Sequence, residues 1–459
     1  MPELPEVETV KRILTTIVKG KTISSIDVYR RKNLLPSPDV FVSSLVNETF
    51  LDVTRIGKYL IFHLTNDKAI ISHLRMEGKY FEGKSTDPFF KHDIMRFVFN
   101  DGTTLRYNDV RTFGSLTYRK EENLFNEKPL NQIGKEPFSI SLSEFDSLLK
   151  KKKGTIKEAL LDQSLISGIG NIYDCEILFA TKISPFRLAS SLSLEEERSI
   201  LDNAKIILEK AIKEGGTTIK SYHPKEGVSG LFQNELKVYG KEKQLCPICH
   251  FPIKRTPQGG RSTYYCPHCQ NDHPLVVGVT GAIACGKSEV SHYLEEKGYL
   301  HLDADKIVKE LYEKPAILKG IAKIFGTEAV SDGVFNRDFV RTKIVEKPAL
   351  KKKLENYIWP KVFSFIKKEM KKNKRRKILL DVPFLLDSPL EPLCDYIVDI
   401  DASLETQKER LTKRGKDVEK SLEMNASFPR EKAKKRADIL LNGDGDVASL
   451  RKQLDQYHW

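Results

Sequence analysis

The sequence predicts a multidomain chain in which a β-rich region and a helical region precede a small cysteine-rich module and an α/β region with a parallel sheet. Three observations predict this fold class. The 459 residues exceed what one hydrophobic core normally organises. Two Cys-x-x-Cys pairs interrupt the chain between positions 246 and 269. Beyond position 274, apolar strand patterns alternate with helical patterns as far as the last residues.

Composition and charge narrow the class of protein. Net charge is +13, divided as +6 for residues 1–274 and +7 for the rest, so basicity favours a polyanionic partner without assigning it to one half. The basic run at 371–377 is interpreted as a solvated helix end. No apolar run approaches the roughly 20 residues of a membrane span. An odd number of cysteines, seven, predicts a reducing, cytoplasmic setting.

The first region combines one helix with several strands. Apolar residues from Val7 to Val18 recur at helical spacing, and proline suits a first helical turn, so a helix is expected to begin near Pro5. Short β-like runs with a turn signal at Asn100-Asp101-Gly102 follow. Residues 140–215 then show helical periodicity. The β-like runs are "KYLIFHL", "KAIISHL" and "IMRFVF".

The first residues precede the predicted helix and need a separate explanation. Removal of the initiator methionine before a small residue would make Pro2 a secondary amine at the chain terminus. An α-amino group has a pKa of about 7.7–8.0, so much of it is a free nucleophile near neutrality. Such an amine can attack an electrophilic sugar carbon, and Glu3 could act as the general acid beside it.

The cysteine module has the spacing Cys246-x2-Cys249-x16-Cys266-x2-Cys269. Two tight thiolate pairs favour one structural zinc ion per chain with no open coordination position, over unligated cysteines in a hairpin. A module this small would need the metal to fold, and the thiols are expected to serve this module alone. Arg261 follows Gly259-Gly260 at the expected hairpin tip, where a cation could reach a phosphate.

The opening "PELPEVET" resembles the start of bacterial formamidopyrimidine-DNA glycosylases, and the similarity extends over residues 1–271. The family excises oxidised purines such as 8-oxoguanine and formamidopyrimidines from double-stranded DNA and then cuts the strand. The resemblance implies an N-terminal catalytic β-sandwich domain with helices at 1–130, a helix–two-turn–helix DNA-binding domain at 131–235 and a zinc finger at 236–272. It makes Pro2 the nucleophile, Glu3 the acid and Arg261 part of the catalytic set.

Further motifs carry the resemblance in the family's order. "RIGKYL" implies a catalytic Lys58, and "DQSLISGIGNIYDCEILF" implies that Asn171 clamps a phosphate near a tight glycine turn. "HLRMEGKY" and "DVRTFG" resemble the elements that fill the void left by an everted base. Thr112 departs from the family, which often has a basic residue there. The residues implied to contact DNA are Met76, His92, Arg111, Phe113, Lys152, Lys153, Lys157 and Asn171.

The second half begins with a nucleotide-binding signature. "LVVGVTGAIACGKSEV" is a strand, a Gly-x4-Gly-Lys-Ser loop and a helix start, the required context for a phosphate-binding loop. Backbone N–H groups and Lys287 would hold ATP phosphates, and Ser288 would hold Mg²⁺. The cofactor-binding residues of this loop are Gly281, Ala284, Cys285, Gly286, Lys287, Ser288 and Glu289.

Carboxylates and arginines follow the later strands. Asp303 and Asp305 come after an expected second strand, where a carboxylate suits magnesium or the deprotonation of a hydroxyl, and Asp381 ends a third strand. Arg410 and Arg414 lie one helical turn apart, an arrangement that can close over a transferring phosphate.

Together these features resemble dephospho-CoA kinase over residues 275–459, a P-loop kinase that phosphorylates the ribose 3′-hydroxyl of dephospho-CoA. The resemblance implies Asp305 as base, with Asp303, Arg337 and Asp381 on the acceptor side. Three positions depart from the family pattern, where histidine, glutamine and glutamate are usual: Trp359, Ser427 and Asp387.

The favoured interpretation is a monomeric fusion of two enzymes. Three alternatives stay open. The C-terminal half could be a DNA-stimulated ATPase, or a kinase for another small hydroxyl compound, or the N-terminal half could bind damage without catalysis. Intact Pro2, Glu3 and Lys58 argue against the last. ATPase rates with DNA versus dephospho-CoA test the first, and a panel of acceptor substrates tests the second.

Overall fold

The computed structural model describes residues 1–217, 231–373, 377–382, 384–426 and 428–459. The chain divides into two compact units. The first comprises Met1–Glu242 and Arg255–Tyr265, and the second comprises Lys243–Lys254 and Cys266–Trp459.

Two sheets and two helices form the N-terminal part of the first unit. One sheet has the strand order β1-β7-β8-β6 and the other β2-β9-β5-β4-β3. Aromatic and aliphatic side chains such as Phe50, Phe62 and Phe97 are fully buried between these elements. The elements are α1 (Leu4–Val18), β1 (Ile23–Val28), β2 (Leu34–Leu35), α2 (Pro38–Leu45), β3 (Phe50–Ile56), β4 (Tyr59–Leu64), β5 (Lys68–His73), β6 (Lys79–Lys84), β7 (Asp93–Phe99), β8 (Thr103–Asn108) and β9 (Ser115–Lys120).

Helices with their own core complete the first unit. Ser141, Thr155 and Ser193 each accept a hydrogen bond from the backbone N–H three residues on, which satisfies the free donors at three helix starts. The helices are α3 (Leu142–Lys150), α4 (Ile156–Leu161), α5 (Asn171–Ala180) and α6 (Leu194–Lys213). A hairpin of β10 (Lys254–Gln258) and β11 (Arg261–Tyr265) turns at Gly259 and Gly260, whose φ angles of 56° and 74° suit a two-residue turn.

The second unit contains a five-stranded parallel sheet with the order β13-β16-β12-β17-β18, where Val279 of β12 pairs with Asp381 on one side and Val398 on the other. Its elements are β12 (Val276–Gly281), α7 (Lys287–Glu296), β13 (Leu300–Asp303), α8 (Ala304–Tyr312), α9 (Pro315–Phe325), β14 (Val330–Ser331), β15 (Val334–Phe335), α10 (Arg337–Glu346), α11 (Ala349–Lys372), β16 (Ile378–Asp381), β17 (Tyr396–Asp401), α12 (Leu404–Lys413), α13 (Val418–Asn425), α14 (Arg430–Arg436), β18 (Ile439–Asn442) and α15 (Val447–Leu454).

The predicted fold class is confirmed: a β-sandwich with helices, a helical region, a four-cysteine module and a parallel α/β region occur in that order. Within the described residues, no helix is both long and apolar enough to pass through a membrane.

Candidate functional site

The carboxylate of Glu3 is held at the start of helix α5. Its two oxygens accept hydrogen bonds from the backbone N–H groups of Gly170 (2.8 Å), Ile172 (2.9 Å) and Tyr173 (3.3 Å). Glu3 is 3% exposed, and Pro2 next to it is partly buried. A helix N-terminus favours negative charge, so a residue at the very start of the chain is fixed by the helical region.

Two glycines make this approach possible. A Cβ atom on Gly170 would lie 2.3 Å from the carboxyl carbon of Glu3, closer than real Cβ atoms come to any neighbour. Gly168 has a φ of +94°, and a Cβ there would lie 2.4 Å from a methyl carbon of Leu4. The sequence Gly-Ile-Gly therefore serves steric access, because any side chain would push Glu3 and Leu4 away.

Lys58 and Glu6 lie behind Glu3. The Lys58 ammonium donates to the carbonyl of Ile169 at 2.8 Å, and burial lowers the pKa of Lys58 although the charge of Glu3 opposes this. Glu6 accepts from the backbone N–H of Glu3 at 2.9 Å. Burial, followed by the charge of Glu3, raises the pKa of Glu6. Lys58, which loses its proton more easily than an exposed lysine, is therefore held close to Glu3, the predicted acid.

Arg261 is exposed at the tip of the β10–β11 hairpin, and its charge also acts to lower the pKa of Lys58. The side-chain amide of Asn171 donates to the carbonyl of Ser262 at 2.8 Å, which joins the hairpin to the start of α5. The structure thus brings Glu3, Lys58, Asn171 and Arg261 into one region.

Lys157 differs from the expectation of an accessible DNA contact. It is 1% exposed, and its ammonium donates to Asp174 (2.8 Å) and to the side-chain oxygen of Asn171 (2.9 Å). Burial alone would lower the pKa of Lys157, but the charge of Asp174 raises it above the usual value. Lys157 is therefore a buried residue that orients the Asn171 side chain by donating a hydrogen bond to it.

The other predicted DNA contacts lie on or near the surface. Lys153 is exposed, Lys152 forms an ion pair with Asp162, and His92 is partly buried with a φ of +75°. The ammonium of Lys153 is therefore accessible to a DNA phosphate, whereas Lys152 would have to give up its ion pair with Asp162 to bind one.

Two loops present the predicted void-filling side chains. Met76 is 45% exposed and Phe113 57% exposed, and the Arg111 guanidinium lies 4.9 Å from the Phe113 ring centroid. Asp109 accepts hydrogen bonds from the backbone N–H groups of Arg111, Phe113 and Gly114, so one buried carboxylate fixes the second loop. Exposed apolar tips on ordered loops can enter a duplex.

The four predicted cysteines form one cluster in which all Sγ atoms lie within 4.8 Å of one another. The Cys246–Cys269 and Cys249–Cys266 sulfur distances are 3.8 and 3.4 Å. Zn–S bonds of about 2.3 Å in a tetrahedron separate sulfur atoms by about 3.8 Å. Three of the four cysteines are buried, so the donor set fits a structural zinc ion.

The phosphate-binding loop joins β12 to α7. Ala284 and Gly286 have φ angles of 58° and 112°, which turn the backbone into the start of the helix. A Cβ on Gly281 would lie 2.6 Å from the carbonyl oxygen of Ile400, so only glycine fits at the strand end. Lys287 and Ser288 line a cavity of about 840 Å³, the volume range of small-ligand sites.

Asp381 lies close to three polar side chains beside the phosphate-binding loop. It pairs with the ammonium of Lys287 at 2.7 Å, accepts from the Ser291 hydroxyl at 3.0 Å and lies 3.4 Å from Nε2 of His301. Burial alone would raise its pKa, but His301 and the charge of Lys287 lower the pKa of Asp381 to about 2. Lys287 is thus held by a carboxylate that stays ionised.

The structure separates the roles of Asp303 and Asp305. Asp303 caps helix α8 by accepting from the N–H of Lys306 at 3.1 Å, whereas Asp305 lines the cavity. Burial, followed by the charge of Asp303, raises the pKa of Asp305. A carboxylate with a raised pKa facing a cavity suits a general base.

Arg410 and Arg414 also line the cavity. Arg410 donates to the carbonyl oxygens of Ala284 (3.1 Å), Gly443 (2.7 Å) and Gly445 (2.8 Å), which ties the phosphate-binding loop to the loop after β18. Arg414 is exposed at the end of α12. Arg410 therefore positions backbone, while Arg414 has a guanidinium able to reach a ligand.

The residues predicted or expected on the acceptor side lie in different surroundings. Trp359 contributes to an aromatic and aliphatic wall of the cavity, which also includes Val308, Val382, Phe384 and Phe428. Arg337 is exposed at the start of α10 and does not line the cavity. Asp387 pairs with Lys432 at 2.6 Å. Ser427 lies outside the described residues.

Several supporting residues were not predicted. Tyr173 donates its hydroxyl proton to Glu6 at 2.7 Å, and the backbone N–H of Thr217 donates to the same oxygen at 2.8 Å. Ser291 donates to Asp381, and His301 lies beside the same carboxylate. The sequence offers no signal for Tyr173 and Thr217, because their partner is more than 160 residues away; the histidine two residues before Asp303 could have been noticed.

The fold and site define a DNA-glycosylase architecture followed by a P-loop kinase domain. Three family models match: the formamidopyrimidine-DNA glycosylase N-terminal domain at residues 1–116, the formamidopyrimidine-DNA glycosylase H2TH domain at 133–223 and dephospho-CoA kinase at 275–449. The chain belongs to the formamidopyrimidine-DNA glycosylase family and carries a fused dephospho-CoA kinase domain, and both enzyme activities are supported.

Relatives and solved structures cover the N-terminal part. The formamidopyrimidine-DNA glycosylase of Oceanobacillus iheyensis is 44% identical over 275 residues, 59% of this chain and 98% of the relative, and that of Shouchella clausii is 45% identical over 274 residues, 59% and 99%. A Lactococcus lactis Fpg mutant in complex with Fapy-dG containing DNA is 37% identical with a TM-score of 0.56, covering 59% of this chain and all of that chain.

Proposed function

We propose that the first unit excises oxidised purines from double-stranded DNA through an imine formed by Pro2. After removal of Met1, the Pro2 amine attacks C1′ of the damaged nucleotide, and the bond to the base breaks with its electrons leaving on the base. Glu3 takes the proton that the amine loses as the imine forms and donates it to the sugar ring oxygen as the ring opens. Lys58 then moves protons during strand scission. The observation that carries the proposal is the burial of Glu3 beside Pro2 on three backbone N–H groups.

Borohydride trapping tests this mechanism, because the reductant converts an imine into a stable covalent bond. We expect the protein to begin at Pro2 and to become linked to an 8-oxoguanine duplex. Pro2→Gly should weaken trapping strongly, and Glu3→Gln should stop base release while DNA binding persists. Full cleavage by protein that retains Met1 would contradict the assignment of the nucleophile.

We further propose that the second unit transfers the γ-phosphoryl group of ATP to the ribose 3′-hydroxyl of dephospho-CoA. Asp305 accepts the hydroxyl proton, the freed oxygen attacks phosphorus, and the bond to ADP breaks. Lys287 and Arg414 offset the charge of the transferring phosphate. Ser288 and Asp303 would hold Mg²⁺, which supplies further charge neutralisation when bound. The carrying observation is that Lys287, Asp305 and Arg414 line one cavity.

An acceptor panel at saturating ATP tests the kinase assignment. We expect dephospho-CoA to be the preferred acceptor, with Trp359 altering its affinity rather than the chemistry. Preference for a nucleoside, a sugar or a nucleoside monophosphate would contradict the acceptor. ATP hydrolysis that rises with DNA, without transfer to any small acceptor, would favour the DNA-stimulated ATPase instead.

The four thiols would hold one structural Zn²⁺ per chain in a finger spanning 236–272, whose hairpin offers Arg261 to a DNA phosphate. Metal analysis of the purified protein should give one zinc per chain. A stoichiometry near zero in protein that still cleaves DNA would contradict this proposal.

A further inference from the structure

The two cysteine-bearing segments belong to the same compact unit as the parallel sheet. Residues 243–254 and 266–459 form that unit, whereas the hairpin between them belongs to the other. Phe251, two residues after Cys249, is fully buried. Its ring centroid lies 4.8 Å from that of Tyr396 in strand β17 and 4.9 Å from that of Trp459 at the end of the chain. The cysteine module therefore has an apolar contact with the kinase core.

Polar contacts extend this interface as far as Cys266, one of the predicted zinc ligands. The hydroxyl of Tyr396, itself fully buried, donates to the carbonyl of Pro252 at 3.2 Å and lies 3.8 Å from Sγ of Cys266. The Lys254 ammonium pairs with Asp438 at 2.9 Å, and the same carboxylate oxygen accepts from the backbone N–H of Ile397 at 2.8 Å. Strand β17 is thus joined to both cysteine segments.

The last residues of the chain close the interface from another side. The backbone N–H of His458 donates to the carbonyl of Cys249 at 3.1 Å, and its Nδ1 lies 3.1 Å from the carbonyl oxygen of Ile248. Its ring centroid lies 4.5 Å from that of His250. The end of the chain therefore packs on the first Cys-x-x-Cys pair through backbone and ring contacts.

We propose that the zinc-binding segments are a folding element of the kinase unit, so that zinc occupancy stabilises the nucleotide-binding sheet and the sheet in turn retains the zinc. Tyr396 pairs with Val277 of strand β12, which leads into the phosphate-binding loop. The cysteine segments are too short to keep their fold without metal. Loss of the metal would therefore free Phe251 and Pro252 from their contacts with Tyr396. This differs from the expectation that the thiols serve the finger alone.

This coupling must be reciprocal, because a ligand that stabilises a folded unit is itself held more tightly by that unit. The proposal does not rest on the substrate of either enzyme. It concerns stability and metal retention, which can be measured without activity.

Tryptophan fluorescence of the full chain provides the first test. The sequence has two tryptophans, Trp359 and Trp459, and both lie in the second unit. Removing zinc with a chelator should lower the midpoint of the thermal fluorescence transition by more than about 5 °C, and restoring zinc should recover it. An unchanged midpoint in protein shown to lack zinc would overturn the proposal.

The second test uses a matched pair of buried tyrosines. Tyr396→Phe removes the hydroxyl that contacts Pro252 and Cys266, whereas Tyr299→Phe removes a buried hydroxyl without a hydrogen-bond partner among the described residues. Zinc release to a chromophoric chelator should become about fivefold faster in Tyr396→Phe, from the loss of one hydrogen bond, and stay at the parent rate in Tyr299→Phe. Equal release rates in the two variants would overturn the reciprocal coupling.

Discussion

The two catalytic regions of this chain hold their charged groups in different ways. In the first unit, the oxygens of Glu3 are occupied by backbone N–H groups at the start of α5, and Gly170 leaves no room for another atom. In the second unit, Lys287 and Asp381 pair with each other beside a cavity of about 840 Å³. The Glu3 site is closed around its carboxylate. The Lys287 site is open to the cavity, and its charged groups are held by pairing with each other.

The difference follows from what each reaction must admit. The proposed glycosylase nucleophile belongs to the chain itself, so its acid can be fixed in advance by rigid backbone groups. The kinase has to admit two substrates, and ATP phosphates would compete with Asp381 for Lys287. Predictions for the two units should therefore differ in kind: the first should be sensitive to small packing changes around Glu3 as well as to loss of its charge, whereas the second should respond mainly to changes of charge.

The largest expected effect of a packing change is at Gly170. Gly170→Ala places a methyl group 2.3 Å from the carboxyl carbon of Glu3, so Glu3 must leave the start of α5. We expect 8-oxoguanine excision to fall by at least about 100-fold, a loss of about 2.7 kcal/mol of transition-state stabilisation, while kinase turnover is unchanged. Single-turnover excision assays measure this.

Gly154→Ala is the matched control in the same unit. A Cβ at Gly154 meets the end of the Glu158 side chain, which can rotate away at the cost of its exposed hydrogen bonds to Thr155. Excision by Gly154→Ala should stay within about twofold of the parent, a difference well under 1 kcal/mol. Equal losses in the two variants would mean that the first unit tolerates no alanine in its loops, and the specific role of Gly170 would be wrong.

The next effect concerns the acid limb of the kinase pH profile. Burial and Asp303 raise the pKa of Asp305, and a general base acts only when deprotonated. Phosphoryl transfer should therefore rise with pH through a pKa above the usual aspartate range and then level off. Asp305→Asn should lose this limb together with most of kcat while ATP affinity persists.

Asp303→Asn distinguishes the two carboxylates. It should keep the acid limb but shift it to lower pH, because one negative neighbour of Asp305 is removed. Loss of the limb in Asp303→Asn and its retention in Asp305→Asn would reverse the assignment of the base.

A smaller effect is expected at Arg410, whose guanidinium joins three backbone carbonyl groups. Lysine cannot span them, so Arg410→Lys should lower kcat/KM of the kinase about tenfold, or about 1.4 kcal/mol. Lys413→Ala on the same helix removes an exposed ammonium that pairs with Glu409, and it should have no measurable effect. Steady-state kinetics of both variants check this.

The smallest effect concerns two buried tyrosines of the first unit. The Tyr107 hydroxyl has no hydrogen-bond partner among the described residues, whereas the Tyr80 hydroxyl donates to Ser72 at 2.7 Å. Tyr107→Phe should change the free energy of unfolding by less than about 0.5 kcal/mol, and Tyr80→Phe should lower it by about 1 kcal/mol. Denaturant unfolding of the two variants would contradict this if their order were reversed.

Sequence motifs predicted those parts of the sites that short stretches of chain determine. The phosphate-binding loop, the Asp303–Asp305 pair and the four cysteines lie where their spacing indicates. Contacts between distant segments were not predictable in this way. The burial of Lys157 beneath Asn171 and the packing of Phe251 on Tyr396 depend on tertiary approach, which no local pattern encodes.

The central claim is that one chain carries two separate active sites, and a reciprocal assay of two full-length variants tests it most directly. Glu3→Gln and Lys287→Ala are each assayed for excision of 8-oxoguanine and for phosphorylation of dephospho-CoA. We predict that each variant loses its own reaction by orders of magnitude and keeps the other within about twofold of the parent, as independent sites require. A large loss of excision in Lys287→Ala would contradict the account, because the nucleotide site would then serve DNA repair.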